Sequence, residues 1–379
     1  MKKMILALGL TMFFSLAQVT YASSDLPKVK AKGAVLIEQE SKRVLYEQNA
    51  NTPLPMASTT KIMTCILALE KGHLDDIVVA SKRAAQAPPV KLKLKVGEKQ
   101  RLGDLLYALM LQSDNDVAVA IAEHIGGSVE GFCDMMTEKA QSIGATHTSF
   151  KTPNGLDAEG HYASAYDMAL IGAYALENPD FVKIVTTTNI SIPTIETEGS
   201  VRHDLQNKNR FIYAYEGANG IKTGFTNKAG HCFVGGAKQN DMQLVAAALG
   251  SGWGKNGKNQ KYADVIQMMQ YGFKNYEKVQ LIEANDQLDF VPIQKALVHQ
   301  VTIGCKHKVV LPLTKQEKEK VYLKKVLPTA LEAPLTQGEV VGEMQVVCEG
   351  VTLAKVPLCV TETVKKATLF DHIKEWLKK

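Results

Sequence analysis

The chain has 379 residues, 45% of them hydrophobic and 22% charged, a globular composition with length for two domains and a sizeable core. A net charge of +5, from 44 Lys and Arg against 39 Asp and Glu, is too weak a bias to argue for nucleic acid, though it suits anionic lipid or wall polymer. Cys65, Cys133, Cys232, Cys305, Cys348 and Cys359 form no C-x-x-C pair, and the nine His show no metal-ligand spacing, so neither a disulfide framework nor a metal or cofactor is expected.

Lys2 and Lys3 precede an apolar run at 4–16, and Thr20-Tyr21-Ala22 ends in a small residue. This predicts an export signal over residues 1–22, its run short for a membrane span. Residues 34–37 and 44–46 are short apolar runs that predict an antiparallel hairpin. Next comes Pro55-Met56-Ala57-Ser58-Thr59-Thr60-Lys61, then Ile62, Met63, Cys65, Ile66, Leu67 and Leu69. The run is apolar on nearly every side and predicts a buried helix, stopped at Gly72. Ser58 begins it, and Lys61 lies one turn on along the same face. A serine hydroxyl becomes a nucleophile when a neighbour takes its proton, and a lysine does this only as the neutral amine. Burial and nearby positive charge favour that form. Taken alone, such a pair is more often a capping Ser and a surface Lys.

Residues 87–89 read as a loop and 102–111 as a helix that breaks at Gln112-Ser113-Asp114-Asn115. Helices follow at 116–125, 130–143 and 166–176, then a polar stretch. Residues 231–237 and 244–249 are strands joined by a turn, and 262–276 is helical. Over 23–280 this predicts an α+β domain, an antiparallel sheet with helices on its faces. From 281 to 364, short alternating segments divided by Gly, Pro and Lys predict a small all-β, sandwich-like domain. In the tail, 365–379, Leu369, Phe370, Ile373, Trp376 and Leu377 recur at helical spacing among five lysines. That predicts an amphipathic helix suited to a membrane surface and too short to span it; a helix docked on its own domain is the alternative.

Three motifs occur in a fixed order: Ser58-x-x-Lys61, Ser113-Asp114-Asn115 and Lys222-Thr223-Gly224. This set is carried by penicillin-binding proteins and class A β-lactamases. Together with Thr152-Pro-Asn-Gly-Leu-Asp157, Ser164-Ala-Tyr-Asp167 and Gly220-Ile-Lys-Thr-Gly-Phe-Thr-Asn-Lys-Ala-Gly230, it resembles the low-molecular-weight D-alanyl-D-alanine carboxypeptidases over nearly the whole chain. The resemblance implies a β-lactamase/transpeptidase-like catalytic domain that trims the terminal D-Ala of peptidoglycan pentapeptides and is acylated by β-lactams. It also implies an exported protein, held peripherally at the outer face of the cytoplasmic membrane. Ser58 would be the nucleophile and Lys61 its base. Ser113 and Asn115 would relay protons and bind the substrate amide. Lys222 would supply positive charge beside Lys61 and, with Thr223, hold the terminal carboxylate. The backbone N–H groups of Ser58 and Phe225 would form the oxyanion hole, and Gly224 would leave room for substrate along the strand edge.

Two positions depart from the family pattern. Phe225 stands where a His is frequent, which bears on deacylation rate. Lys261 is the nearest match to an Arg that helps bind the carboxylate, with a solvated surface Lys as the alternative; Lys208 is read as surface. A β-lactamase would need an E-x-x-x-N pattern between Asn115 and Lys222, and there is none. A non-catalytic wall scaffold predicts a lost nucleophile or base, and both are present. An endopeptidase or transpeptidase stays open, because water and amines both resolve an acyl-enzyme.

Overall fold

The computed structural model describes residues 26–195 and 202–376. The expected export segment and residues 377–379 lie outside them. The chain divides into two compact units, one over residues 22–274 and one from 275 onward. The boundary expected at 280/281 falls inside a strand of the second unit.

The first unit opens with β1 (Gly33–Glu38) and β2 (Val44–Gln48), the expected hairpin. A 3-10 turn, Ala57–Thr60, leads into α1 (Lys61–Lys71), in which every residue from Lys61 to Ala68 is buried. Burying Ile62, Met63, Ile66 and Leu67 stabilises the unit by at most about 2–3 kcal/mol each, so α1 is a central strut. The run at 102–111 is not one helix. It is α2 (Leu102–Tyr107) followed by a π-helical turn, Ala108–Gln112, which ends at Ser113 in the left-handed region (φ 72°). Such turns break the 3.6 spacing that sequence reading depends on.

Then come α3 (Asn115–Gly126), α4 (Val129–Ser142) and α5 (Ala165–Ala175), close to their expected positions. The stretch read as polar holds α6 (Pro179–Thr186) and a hairpin, Asn189–Pro193 with Arg202–Gln206. The Asn178 side chain caps α6 by accepting from the Asp180 and Phe181 N–H groups, with Pro179 at the first position. Strands β3 (Ala218–Thr226), β4 (Gly230–Gln239) and β5 (Met242–Leu249) complete the sheet, and α7 (Gly254–Asn275) follows. Its first two turns are polar, so sequence periodicity locates only its later part.

The sheet order is β2-β1-β5-β4-β3, antiparallel throughout, with β3 at one edge. Residues of β1 and β5 are buried along their whole length, as strands covered on both faces must be. Gly172 of α5 packs on Val234 and Val245, and Gly272 of α7 packs on Leu36 and Leu244. Val245 and Leu244 point to opposite faces, so the two helices cover opposite sides.

The second unit has β6 (Glu277–Ile282), β7 (Gln287–Gln294), β8 (Gln300–Gly304), β9 (Val309–Leu313), β10 (Val321–Val326), β11 (Leu331–Glu332), β12 (Val340–Cys348) and β13 (Val351–Val360). They form a six-stranded sheet, β10-β12-β13-β8-β7-β11, and a β6-β9 pair around a separate apolar core. The tail helix, α8, spans Leu369–Trp376. All six cysteines are buried.

Candidate active site

The Ala57–Thr60 turn is drawn tight by its own side chains. Thr59 Oγ1 donates to Met56 O at 2.6 Å and Thr60 Oγ1 to Ala57 O at 2.8 Å. Ala57 sits at φ 49°, a left-handed conformation that costs an alanine free energy and that the surroundings must enforce. Two glycines enforce it. A Cβ on Gly155 (φ 83°) would lie 2.0 Å from Ala57 O, and one on Gly224 would lie 2.8 Å from Ser58 N. Gly224 therefore serves first to bring β3 against the Ser58 turn, a reason different from the expected room for substrate. Ser58 lies in this turn, one turn ahead of the α-helix proper.

Lys61 is fully buried. Its Nζ lies 3.0 Å from Ser58 Oγ, 2.8 Å from Asn115 Oδ1 and 2.6 Å from Asn154 O. As an ammonium it donates to all three. As a neutral amine it keeps two N–H groups for Asn115 and Asn154, and its lone pair faces the Ser58 hydroxyl. Burial holds its pKa well below the usual lysine range, and Lys222 adds to this, while Asp114 and Asp116 push back.

Asn115 begins α3 and is buried. Its Nδ2 donates to Pro88 O (3.0 Å) and Pro89 O (3.1 Å), which leaves Oδ1 for Lys61. Both amide N–H groups are engaged, so here Asn115 orients the lysine rather than offering a free donor to substrate. Ser113 is half-buried at the end of the π turn. Asp114 is buried with Oδ2 unbonded, and burial raises its pKa to about 7.

On the sheet side, the Lys222 ammonium is buried and donates to Thr223 O at 3.1 Å. Burial first, then Lys261, lowers its pKa to about 7. Thr223 is half-buried, Gly224 is buried, and Phe225 is 44% exposed on edge strand β3. Lys261, on α7, is only 6% exposed, with Nζ 5.0 Å from the Tyr262 ring. Burial lowers its pKa to about 8. The solvated-surface alternative is thus set aside: Lys261 belongs to a buried cluster with Lys222. Lys208, read as surface, is exposed, yet its Nζ reaches Gln112 O (3.4 Å) and its charge acts on Asp114 and Lys222.

Sequence reasoning missed Asn154, Gly155 and Asp116. Asn154 acts through its carbonyl, which any residue type supplies. Asp116 is fully buried and accepts from the N–H groups of Leu92 (2.9 Å), Lys93 (2.8 Å), Leu94 (3.0 Å) and Val117 (3.0 Å). Among the described residues, no group of three or more His, Cys, Asp or Glu could hold a metal ion.

The arrangement pairs a buried amine with a serine hydroxyl beside an edge strand and basic groups, as acyl transfer to a substrate with a terminal carboxylate would require. Residues 19–252 match the family model described as D-alanyl-D-alanine carboxypeptidase, and residues 276–366 match that of the penicillin-binding protein 5 C-terminal domain. The D-alanyl-D-alanine carboxypeptidase DacF of Bacillus subtilis is 33% identical over 92% of this chain and 90% of its own length. The structure of penicillin-binding protein 5 from Haemophilus influenzae superposes with a TM-score of 0.79 at 27% identity, over 90% of this chain and all of that one. The Streptomyces K15 DD-transpeptidase gives 0.61 at 29% identity, over 65% of this chain and 98% of that one.

Proposed function

The chain belongs to the D-alanyl-D-alanine carboxypeptidase family of peptidases, and from that premise we infer that it removes the terminal D-alanine of peptidoglycan pentapeptides through an acyl-enzyme on Ser58. The observation that carries the serine assignment is the Lys61 amine, buried 3.0 Å from Ser58 Oγ and anchored by Asn115 and Asn154.

Substrate runs along the edge of β3 as an added strand, with its carboxylate towards Lys222, Thr223 and Lys261. Ser58 Oγ attacks the carbonyl carbon of the penultimate D-Ala while Lys61 takes the hydroxyl proton. The oxyanion accepts from the N–H groups of Ser58 and Phe225, which stabilise it more than the ground-state carbonyl. As the C–N bond breaks, the proton passes from Lys61 by way of Ser113 to the leaving amine. Water, activated by the same neutral lysine, then hydrolyses the ester. A β-lactam follows the first half of this path. The likeness to a DD-transpeptidase supports an amine as a second acceptor in place of water.

Two further features belong to this reading: export across the cytoplasmic membrane and peripheral attachment through the C-terminal helix, both resting on the sequence patterns. Labelled penicillin and D-Ala release from a synthetic pentapeptide test the chemistry. Ser58→Ala should abolish both with the fold intact; labelling that survives the substitution refutes the assignment.

A further inference from the structure

Phe225 contributes its backbone to the proposed oxyanion hole, but its side chain is largely free of its own strand. The residue is 44% exposed, and its ring lies against the imidazole of His231, at 4.4 Å between centroids and 33° between planes. The two residues are direct register partners across β3 and β4. His231 is itself held from behind. Its backbone N–H donates to Gly252 O (2.8 Å), and its O accepts from Ser251 N (2.8 Å). Its Nε2 lies 3.1 Å from Gly254 O, which makes Nε2 the protonated nitrogen. A Cβ on Gly257 would come 3.0 Å from His231 Cδ2, so α7 closes directly on the ring edge. Nδ1 is buried without a hydrogen-bond partner.

We propose that His231 is a positioning residue for the oxyanion hole: its neutral imidazole, clamped by the start of α7, is the platform that fixes Phe225 and the β3 edge against the Ser58 turn. The proposal rests on the assignment of the Phe225 N–H to the oxyanion. A tilted ring pair of this kind contributes about 0.5–1.5 kcal/mol beyond its buried area, enough to favour one placement of an exposed ring. Protonation would put a second N–H at Nδ1, where no acceptor waits. The charged groups that act on the ring, Lys258 and Lys261 of α7, would repel the new cation. Burial and these lysines accordingly hold the imidazole below its usual range, so the platform is intact at neutral pH and fails on acidification.

The test uses the full chain with His231→Ala and His231→Phe, measuring kcat and KM for D-Ala release and the acylation rate from about pH 5 to 9. His231→Ala should lower kcat about tenfold or more with little change in KM, the signature of a displaced oxyanion donor. His231→Phe keeps the stack without a titrating nitrogen and should recover most of the loss. The ratio of unaltered to His231→Phe rates cancels Lys61, common to both; it should be level at neutral pH and fall below about pH 6.5. A kcat for His231→Ala within about twofold of the unaltered protein, or a ratio that stays level over the whole acid range in which both proteins remain folded, overturns the proposal. So does a His231→Phe variant as impaired as His231→Ala. Should His231→Ala fail to fold, the ratio decides alone. Failure of the unaltered protein to be labelled at Ser58 would overturn the serine reading underneath, a result separate from any of these.

Discussion

Lys61 shows why residue type predicts some roles and not others. Ser58 and Lys61 stood out by their spacing on one helix face, and Lys222 only through the motif set shared with the family the chain resembles. Asn154 did not, since its carbonyl does the work. For Lys61 the largest influence is burial, and Asp114 opposes it. Acylation requires the neutral amine, so its rate should rise with pH through an apparent pKa well below the free-lysine value of about 10.4. Asp114→Asn removes a charge that favours the ammonium and should move the rising limb to lower pH; a move to higher pH would contradict this account. The apparent value belongs to coupled groups, since Lys222 titrates beside them. Lys261 gives a stability test. Its folded pKa of about 8 lies below the 10.5 of an ordinary lysine. The unfolded chain therefore binds a proton that the native state resists, and stability is penalised in full below about pH 8 and recovers by about 10.5. The gap corresponds to as much as about 3 kcal/mol. Lys261→Met should raise the melting temperature at pH 7, with the gain gone near pH 10, while KM rises if Lys261 faces the carboxylate as proposed. Equal gains at both pH values would mean the buried charge is not the cause.

At the scale of elements, the 3.6-residue pattern revealed α1, α3, α4 and α5, since each buries an apolar face over three turns or more. It failed at the π turn, whose extra residue per turn shifts the face, and at α6, a helix of eight residues whose start is marked by Asn178-Pro179 rather than by a long apolar period. Of the segment at 88–94, sequence reading marked only its start, within 87–89, as a loop, and none of it as part of the site. Its Pro88 and Pro89 carbonyls hold the Asn115 amide, and Asp116 anchors its far end through three backbone N–H groups. Asp116→Asn keeps the shape but halves the acceptors, leaving buried N–H groups short of partners at about 1–3 kcal/mol each. A melting-temperature drop of several degrees, faster hydrogen exchange at Leu92–Leu94 and slower acylation should appear together; a lower melting temperature with unchanged acylation would separate the loop from the site. Gly155→Ala should be harsher. The new Cβ meets backbone atoms of Ala57, which cannot swing aside, and φ 83° is itself costly for alanine. Loss of penicillin labelling by about a hundredfold or more is expected, because a shift of about 1 Å in the Ser58 turn misplaces the nucleophile.

For the molecule as a whole, each unit carries its own core, so changes at the end of the chain need not reach the catalytic unit. Among the described residues of the second unit the last buried one is Val364, whose backbone pairs with Leu335 in an antiparallel bridge. Beyond it the described apolar side chains turn outward: Leu369 is 78% exposed, Phe370 76% and Ile373 47%. Among the described residues no helix is long and apolar enough to cross a membrane. The proposed peripheral attachment rests on the sequence pattern, an apolar stripe among Lys365, Lys366, Lys374, Lys378 and Lys379 against only Asp371 and Glu375, which suits the interface of an anionic bilayer. Apolar insertion gives one binding contribution, and each lysine near the surface adds about 1 kcal/mol. Truncation after Lys365 should therefore abolish binding to anionic vesicles while leaving the melting temperature and turnover of a small soluble peptide unchanged, since Val364 and its bridge remain. Raising salt should weaken binding only in part, because ions screen the lysines but not the stripe. Neutral vesicles should bind the full chain weakly, and Phe370→Ser should reduce binding even at high salt. If the full chain ignores anionic vesicles, or the truncated protein binds them equally well, attachment through the tail is refuted, and the stripe must pack against protein instead.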